Sequence, residues 1–301
     1  QIMLYRVLDC YNLMQNNPLF DHPELMALLR EKASRMLGWL EAMRYRDGSI
    51  PHLNDSTDGI APTSSALKAY AQRLGITTEK IVLKESGYRK FVTDRYEMVA
   101  DVGNIGPDYI PGHAHSDTFN FELHIDDRPF IVDTGISTYE NNERRKLERA
   151  TGAHNTVRID RLDQSEVWSS FRVARRAKIV ALEASEKMVR ATHDGYKRIG
   201  VLHTRQFEAS ETTIKIKDII ASKRGTSHEA VAFLHFAPGV KPEMQGNNKI
   251  RTNAALLTFM GLKSLKIVDI HIAEGYNRLV ASKGLVLGFE KELETQIEVR
   301  K

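Results

Sequence analysis

Cysteine, long apolar runs and internal repeats are scarce or missing, and each shortage excludes a class of protein. Cys10 is the only cysteine among 301 residues, so no internal disulfide can form. A single cysteine does not indicate a cellular compartment. No apolar run approaches the ~18 residues of a membrane span. No segment recurs at a fixed period, which excludes a repeat array.

Strong charge is missing as well. The formal net charge is +4, which suits an anionic partner without requiring nucleic acid. Hydrophobic residues make up 42% of the chain, an ordinary share for a globular protein of one large or two modest domains. The chain begins at Gln1, inside an apolar-periodic stretch and without a signal peptide. We therefore expect the C-terminal part of a longer protein.

Residues 1–78 have a helical pattern. In DHPELMALLREKASRMLGWLEAMRY, apolar residues recur every three or four positions, which predicts one buried stripe. Asp21 is the predicted N-cap of this helix, and Pro23 lies in its first turn. QIMLYRVLDCYNLMQ and SSALKAYAQRLG predict two further helices.

From residue 79 to residue 301 the pattern changes to short alternating segments separated by turns. Many strands without intervening helices predict antiparallel sheets stacked as a β-sandwich. The predicted fold class is therefore α+β, with a helical domain over 1–78 and a large antiparallel β-sandwich over 79–301. The segments include KIVLKES, YRKFVTD, YEMVADVG, TFNFELHI, HNTVRID, RRAKIVALEA, TIKIKDII, EAVAFLHF and SLKIVDIHI.

A histidine pair, His113 and His115, precedes a predicted hairpin in GHAHSDTFNFELHIDDRPFIVDTG. Two histidines at i and i+2 can project from one side of an extended segment. Asp133 lies near the end of the returning strand, and His154 opens a later strand as the natural third histidine. Zinc suits such a set of two histidines and one aspartate.

Spacing alone leaves other interpretations open. Most HxH pairs are surface or packing residues. A tight hairpin would place Asp133 opposite Asn120 or Glu122 rather than His115, so the loop before the strand must curl back for the ligands to meet. A cupin-like metal enzyme also uses HxH followed by a glutamate. Here the spacing to Glu122 is too long for that motif, and no second histidine-bearing motif follows.

Taken together, the chain resembles the heparinase II/III-like polysaccharide lyases. These join an α/α toroid to a C-terminal antiparallel β-sandwich, which implies that residues 1–78 are the last helices of an incomplete toroid. The resemblance covers nearly all of the chain. The stretches that carry it, in order, are MLGWLEAMRYRDGSIPHLNDSTDGIAPT, GHAHSDTFNFEL, FIVDTG, RRKLERATGAHNTVRID, THDGYKRIGVLHTRQF and HEAVAFLHFAPGV.

The resemblance implies a role for each matching residue of the histidine stretch. His113 matches the histidine that lies at the active cleft of related lyases. His115, Asp133 and His154 match the ligands of a zinc ion that is regarded as structural. The two neighbouring histidines would then serve different centres, one for proton transfer and one for the metal.

The helical part also has a match. Tyr5 in QIMLYRV matches the catalytic tyrosine of a short MYH-like motif, although Arg6 replaces the usual histidine and Tyr11 competes for the role. The family's asparagine or histidine that neutralises the substrate carboxylate has no match and would precede Gln1. We therefore expect an incomplete active site in this stretch of chain.

Four more residues are candidate substrate contacts. Arg145 and Arg149 share a face if their segment is helical, and guanidinium groups suit carboxylates or sulfates. Either could instead pair with neighbouring glutamates, and for Arg149 a structural or mixed role is preferred. Tyr139 resembles a family tyrosine near the cleft, with packing as the alternative. Asn155 could orient a loop or touch substrate.

The predicted function is a lyase that cleaves uronic-acid-containing anionic polysaccharide by β-elimination. Tyrosine and histidine would move the protons, and a structural zinc ion would be the only cofactor. No nucleic acid is expected as a partner, and a polysaccharide substrate favours the periplasm or the cell exterior. The alternative is a non-catalytic carbohydrate-binding or surface-polysaccharide assembly protein that retains the zinc-stapled sandwich.

Overall fold

Helices with one apolar face each build the first part of the chain. In this computed structural model, which describes residues 1–223 and 225–300, the helices are α1 (Ile2–Gln15), α2 (Pro23–Met43) and α3 (Ser64–Arg73), with a 3₁₀ turn at Pro18–Phe20. Leu8 of α1, Leu37 of α2 and Leu67 of α3 are at most 1% exposed and belong to one apolar cluster. No helix in the described part of the chain combines the length and apolar composition that a membrane crossing requires.

The predicted N-cap of α2 is wrong by one residue. His22 caps the helix, and its side chain accepts a hydrogen bond from the Leu25 backbone N–H. Pro23 is the first helical residue, where its missing N–H costs nothing because that donor would have no partner in the helix. Asp21 lies before the cap in an extended conformation.

Antiparallel strands build the rest of the chain. The short helix α4 (Glu143–Arg149) and 3₁₀ turns at Thr151–Ala153 and Lys197–Ile199 interrupt them. The strands are β1 (Tyr88–Val92), β2 (Tyr96–Asp101), β3 (Phe121–Ile125), β4 (Arg128–Ile131), β5 (Val157–Ile159), β6 (Glu166–Trp168), β7 (Arg172–Ala174), β8 (Ile179–Ala184), β9 (Met188–His193), β10 (Val201–Ala209), β11 (Thr213–Ser222), β12 (Ala230–His235), β13 (Glu243–Met244), β14 (Lys249–Arg251), β15 (Ala255–Met260), β16 (Ser264–Gly275), β17 (Arg278–Phe289) and β18 (Glu292–Val299).

Sixteen of these strands form two layers around one apolar core, and β6 and β7 pair as a separate two-stranded sheet. One layer is an eight-stranded sheet in the order β13-β14-β15-β18-β11-β10-β9-β8. Facing it are two four-stranded sheets, β1-β2-β3-β4 and β16-β17-β12-β5, which a bridge between Ile131 and Phe236 connects. Phe121 of β3 and Phe207 of β10 meet in the core, with ring centroids 5.7 Å apart. The predicted fold class, helices followed by a large antiparallel β-sandwich, is confirmed.

The chain divides into two compact units. The first holds Gln1–Pro51 and Asp58–Glu85, and the second holds His52–Thr57 and Ser86–Lys301. The segment His52–Thr57 thus belongs to the β-sandwich unit although helical sequence surrounds it. KIVLKES, a predicted strand, contains no strand, and β1 begins only at Tyr88.

The hairpin of β3 and β4 turns on two aspartates. Asp126 and Asp127 have φ of 49° and 58°, the left-handed pair that closes a two-residue hairpin. Every residue of β3 is buried, including Glu122 and His124 on its polar face. The segment His52–Thr57 lies beside this polar face. The His52 backbone N–H donates to Glu122 Oε1 at 3.2 Å.

A buried charge cluster crosses β9, β10 and β11. Arg205 and Asp218 face each other across the β10–β11 ladder and form a bidentate ion pair, with N–O distances of 2.7 and 2.8 Å. His203 Nε2 lies 2.7 Å from Asp218 Oδ1, and His193 Nε2 lies 3.0 Å from His203 Nδ1. Burial raises the pKa of Asp218, but Arg205 and His203 outweigh it and bring that pKa to about 2.

Replacing Asp218 by asparagine should lower the free energy of unfolding by about 3–5 kcal/mol at pH 7, because Arg205 would stay buried without its counter-ion. The lowered pKa of Asp218 contributes stability that is present above its unfolded value near 4 and lost as pH falls toward 2. The difference in the free energy of unfolding between wild type and Asp218→Asn should therefore shrink as the pH falls from 5 to 2.5. Urea denaturation at several pH values measures it.

Asp269→Asn is the matched control. Asp269 also faces a cation across a strand pair, Lys283, but on the protein surface. Its replacement should leave the urea midpoint nearly unchanged, because exposed ion pairs contribute little. An equal effect of both substitutions would contradict the importance of the buried cluster.

Candidate functional site

The site lies in the β-sandwich unit, where three segments meet. These are the loop between β2 and β3 that carries His113 and His115 (the histidine loop), the end of β4, and α4. Arg149, the last residue of α4, shapes the loop around His113 and His115. Its guanidinium donates to the carbonyls of Ala114 at 2.9 Å and Ser169 at 3.2 Å, and its own carbonyl accepts from the Ser116 N–H at 2.9 Å. These bonds curl the loop back toward β4, as convergence of the predicted ligands requires.

The three predicted metal ligands are neighbours in the interior of the β-sandwich unit. His154 Nδ1 lies 2.7 Å from Asp133 Oδ2, and the rings of His115 and His154 are 5.3 Å apart. All three residues are at most 1% exposed. Asp133 reaches them because the chain leaves the β-ladder at Ile131 and turns sharply at Gly135, whose φ is 69°. A Cβ at Gly135 would lie 2.9 Å from the Ala273 carbonyl, so only glycine fits there.

The donor atoms of this trio suit a metal ion chemically. His115 Nδ1 and His154 Nε2 are buried, and neither has a hydrogen-bond partner among the described residues. An unprotonated imidazole nitrogen is the form that binds zinc. Within residues 1–223 and 225–300, no three His, Cys, Asp or Glu side chains are already gathered as a metal site. The two imidazoles fit zinc in kind, whereas the Asp133 oxygens face His154 Nδ1, the Asn120 amide and the Gly135 N–H. Zinc binding stays a prediction.

Asp55 is a site residue that the sequence did not reveal. Its side chain is 5% exposed and lies between both histidines of the pair: Oδ2 is 2.8 Å from His113 Nδ1, and Oδ1 is 2.8 Å from His115 Nε2. Arg145 donates to both carboxylate oxygens, one of them at 2.8 Å. The only signal was its place in the loop HLNDST, within a stretch that carries the family resemblance.

Burial and pairing set the charges of this bridge. Burial raises the pKa of Asp55, but hydrogen bonds from His115 and Arg145 outweigh it and bring that pKa to about 2. Burial lowers the pKa of His115 to about 4, so its ring is neutral near pH 7. The cation that then holds Asp55 ionised is Arg145, in the bidentate geometry that favours such pairs.

His113 occupies the accessible side of the site. Its side chain is 65% exposed, and its ring lies 5.5 Å from the ring of Phe171 and 5.9 Å from that of Tyr139. Tyr276, at the tip of the β16–β17 hairpin, packs on Tyr139 with ring centroids 5.2 Å apart. Phe171 and Tyr276 form one aromatic group with Tyr139 beside His113. Both come from turns, Phe171 between β6 and β7 and Tyr276 between β16 and β17.

Three of the predicted substrate contacts lie inside the protein. Arg145, Arg149 and Asn155 are at most 1% exposed, and their side chains donate to protein oxygens. Asn155 bridges β3 and the residue after β4, since its Nδ2 donates to the carbonyls of Phe121 at 2.8 Å and Val132 at 2.9 Å. These contacts are structural, and direct contact of the three residues with substrate stays a prediction. Tyr139 is half-buried beside His113.

Tyr5 belongs to the helical unit. It is half-buried on α1 and lines an open cleft of about 320 Å³ together with Asp9 and Tyr70. Its ring centroid is 6.5 Å from that of Tyr70, and the Arg6 guanidinium lies 5.2 Å from the Tyr5 centroid. Tyr70 donates to Asp9 at 3.1 Å. A catalytic role for Tyr5 stays a prediction.

Buried acids surround the histidines. Burial raises the pKa of Asp101 to about 6, of Glu122 to about 7 and of Asp117 to about 8. Asp117 Oδ2 has no hydrogen-bond partner among the described residues. Asp117, the one of these three acids whose charge interacts with His154, is therefore mostly protonated and uncharged near pH 7.

Comparisons with known proteins agree with this architecture. A family model described as heparinase II/III-like, C-terminal, matches residues 75–300. No curated protein matches the chain. Heparinase III, the BT4657 gene product, is similar in fold, with a TM-score of 0.74 at 15% identity over 99% of this chain and 50% of that one.

Two more solved structures are similar in fold. The heparan sulfate lyase HepC from Pedobacter heparinus has a TM-score of 0.71 at 17% identity over 100% of this chain and 51% of that one. Another heparinase III has a TM-score of 0.67 at 16% identity, over 98% of this chain and 52% of that one. The chain therefore spans about half the length of the solved structures it matches.

Replacing Asn155 by alanine should lower the free energy of unfolding by about 3 kcal/mol or more, because two buried carbonyls and the His235 N–H would each lose a partner. Asn248→Ala is the control, since Asn248 is exposed and its side chain donates one hydrogen bond, to the Phe259 carbonyl. That change should cost less than about 1 kcal/mol. Urea denaturation measures both, and a small effect at Asn155 would show that it does not hold the site together.

Proposed function

Because the chain belongs to the heparinase II/III-like family, we propose that it acts as a polysaccharide lyase on uronic-acid-containing anionic chains. The observation that carries the proposal is His113, an accessible imidazole whose Nδ1 is held by the buried carboxylate of Asp55. The heparan sulfate lyase activity named for HepC favours a glycosaminoglycan-like substrate.

The proposed reaction is β-elimination. A base takes the proton from C5, α to the uronate carboxylate, and the electron pair forms the C4–C5 double bond as the C4–O4 bond breaks. An acid gives a proton to the departing O4. The product is an unsaturated uronate and a new chain end, so no oxidant, reductant or nucleotide is consumed.

His113 suits one of the two proton transfers. Its Nε2 has no hydrogen-bond partner among the described residues, whereas its Nδ1 is engaged by Asp55. A positioned histidine in such a step contributes typically ~10²–10⁴-fold in rate. Tyr5 is the proposed partner for the other proton, because the family resemblance assigns a tyrosine to it.

Aromatic faces beside His113 suit a sugar ring. Tyr139, Phe171 and Tyr276 pack edge to face with centroid distances of 5.2 and 5.3 Å. The Arg145 guanidinium, buried and paired with Asp55, lies 5.0 Å from the Tyr139 centroid and packs against the aromatic group.

Zinc is the proposed structural cofactor. His115, Asp133 and His154 would hold it, and it would fix the loop that carries His113 rather than take part in the reaction. The buried nitrogens of His115 and His154 that have no partner among the described residues support the two histidine ligands of this set.

His113→Ala should lower kcat/KM by about 10²–10⁴-fold on a uronate polysaccharide, because a proton-transfer group is lost. Formation of the unsaturated product, followed by ultraviolet absorbance with the full-length protein, measures the rate. His271→Ala is the control, an exposed histidine on β16, and should keep wild-type activity. Affinity for the polysaccharide without any product would instead support the non-catalytic binding protein.

His115→Ala should release bound zinc and lower the melting temperature, because a buried ligand of a structural metal is lost. Elemental analysis and calorimetry of the same samples give the two readouts. His193→Ala removes another fully buried histidine and should lower the melting temperature while zinc content stays. Unchanged zinc and stability in His115→Ala, with activity lost, would reverse the roles proposed for His113 and His115.

A further inference from the structure

We propose that Asp55 is a positioning residue that fixes the ring orientation and the tautomer of His113 for proton transfer. The inference rests on the proposed function for its catalytic consequence, but the tautomer itself is independent of that function. Asp55 is buried and His113 is exposed, with 5% and 65% of their side chains accessible. The 2.8 Å contact between them therefore joins a fixed group to a movable one.

The carboxylate of Asp55 is held from several directions. Arg145 donates to both of its oxygens, and His115 Nε2 lies 2.8 Å from Oδ1. The neighbouring Asn54 accepts from the His115 backbone N–H at 3.1 Å, which ties the loop of Asp55 to the histidine loop. Arg145 itself is anchored by the Ser170 carbonyl at 3.0 and 3.1 Å. Because Asp55 cannot easily move, it dictates where the His113 ring points.

The hydrogen bond also dictates which nitrogen of His113 carries the proton. An ionised carboxylate only accepts hydrogen bonds, so Nδ1 must be the donor. In a neutral imidazole the other nitrogen then has the free lone pair. That nitrogen, Nε2, has no partner among the described residues, so the basic atom of His113 is the one left accessible.

Asparagine at position 55 should reverse this tautomer. Each oxygen of Asp55 faces one histidine and one nitrogen of Arg145: Oδ1 faces His115 and Oδ2 faces His113. Because His115 is fully buried and His113 is exposed, losing the acceptor costs more at Oδ1, so the amide oxygen would take that place. The amide nitrogen would then replace Oδ2, which faces His113 Nδ1 at 2.8 Å. Because an amide nitrogen only donates, Nδ1 would have to accept and the proton would move to Nε2.

Two measurements on the full-length protein test the proposal. Nitrogen-15 NMR of the imidazole side chains should place the proton of neutral His113 on Nδ1 in the wild type and on Nε2 in Asp55→Asn. Lyase kinetics should show kcat reduced by about 100-fold or more in Asp55→Asn, with KM changed less than about threefold. A purely structural role would lower stability without separating kcat from KM.

Asp160→Asn is the matched control. Asp160 also pairs with a histidine, since its Oδ2 lies 2.7 Å from His228 Nδ1, and its φ of 49° is one that asparagine adopts readily. This variant should keep the wild-type kcat and the wild-type tautomer of His113.

Three outcomes decide the matter. A wild-type His113 protonated on Nε2 would overturn the proposal without any variant, which covers the case that Asp55→Asn does not fold. An unchanged tautomer or less than a threefold loss of kcat in Asp55→Asn would also overturn it. If the wild type cleaves no uronate polysaccharide, the proposed function fails, while the NMR result still decides the role of Asp55.

Discussion

The pairing of buried charges is the constraint on which the arrangement of the candidate site depends. Asp55, Asp133 and Arg145 are all withdrawn from solvent, and burying an ion without a partner is far more costly than any single packing contact can offset. The segments that carry these residues therefore have to meet with donors facing acceptors. The curled histidine loop and the docked segment His52–Thr57 are the local consequences.

One carboxylate serving two neighbouring imidazoles gives those imidazoles different properties. His115 is fully buried, and one of its ring nitrogens has no partner in the described part of the chain, whereas most of the His113 ring is accessible. Both rings are oriented by Asp55. In the proposed mechanism, Asp55 thus links two roles. His115 supports the histidine loop, and His113 transfers the proton.

The site could be predicted only in part from the sequence. His113, His115, Asp133 and His154 stood out because their residue types and order match a family pattern. Asp55 did not, because an aspartate in a loop of turn formers has no periodic or compositional signal. Tyr276 has no such signal either. Backbone hydrogen bonds between distant segments bring its hairpin beside Tyr139, such as the Asn277 N–H to the Ser137 carbonyl at 2.9 Å.

The sequence by itself determined the fold class, since apolar residues repeat every three to four positions before residue 78 and alternate afterwards, and such periods depend only on local backbone geometry. It also determined which residue types were available for proton transfer and metal binding. Only the tertiary structure decided that Arg145, Arg149 and Asn155 lie inside the protein, and that Asp55 joins the two histidines. The physical reason is that burial and the pairing of charges depend on segments far apart in the chain, so no local pattern contains them.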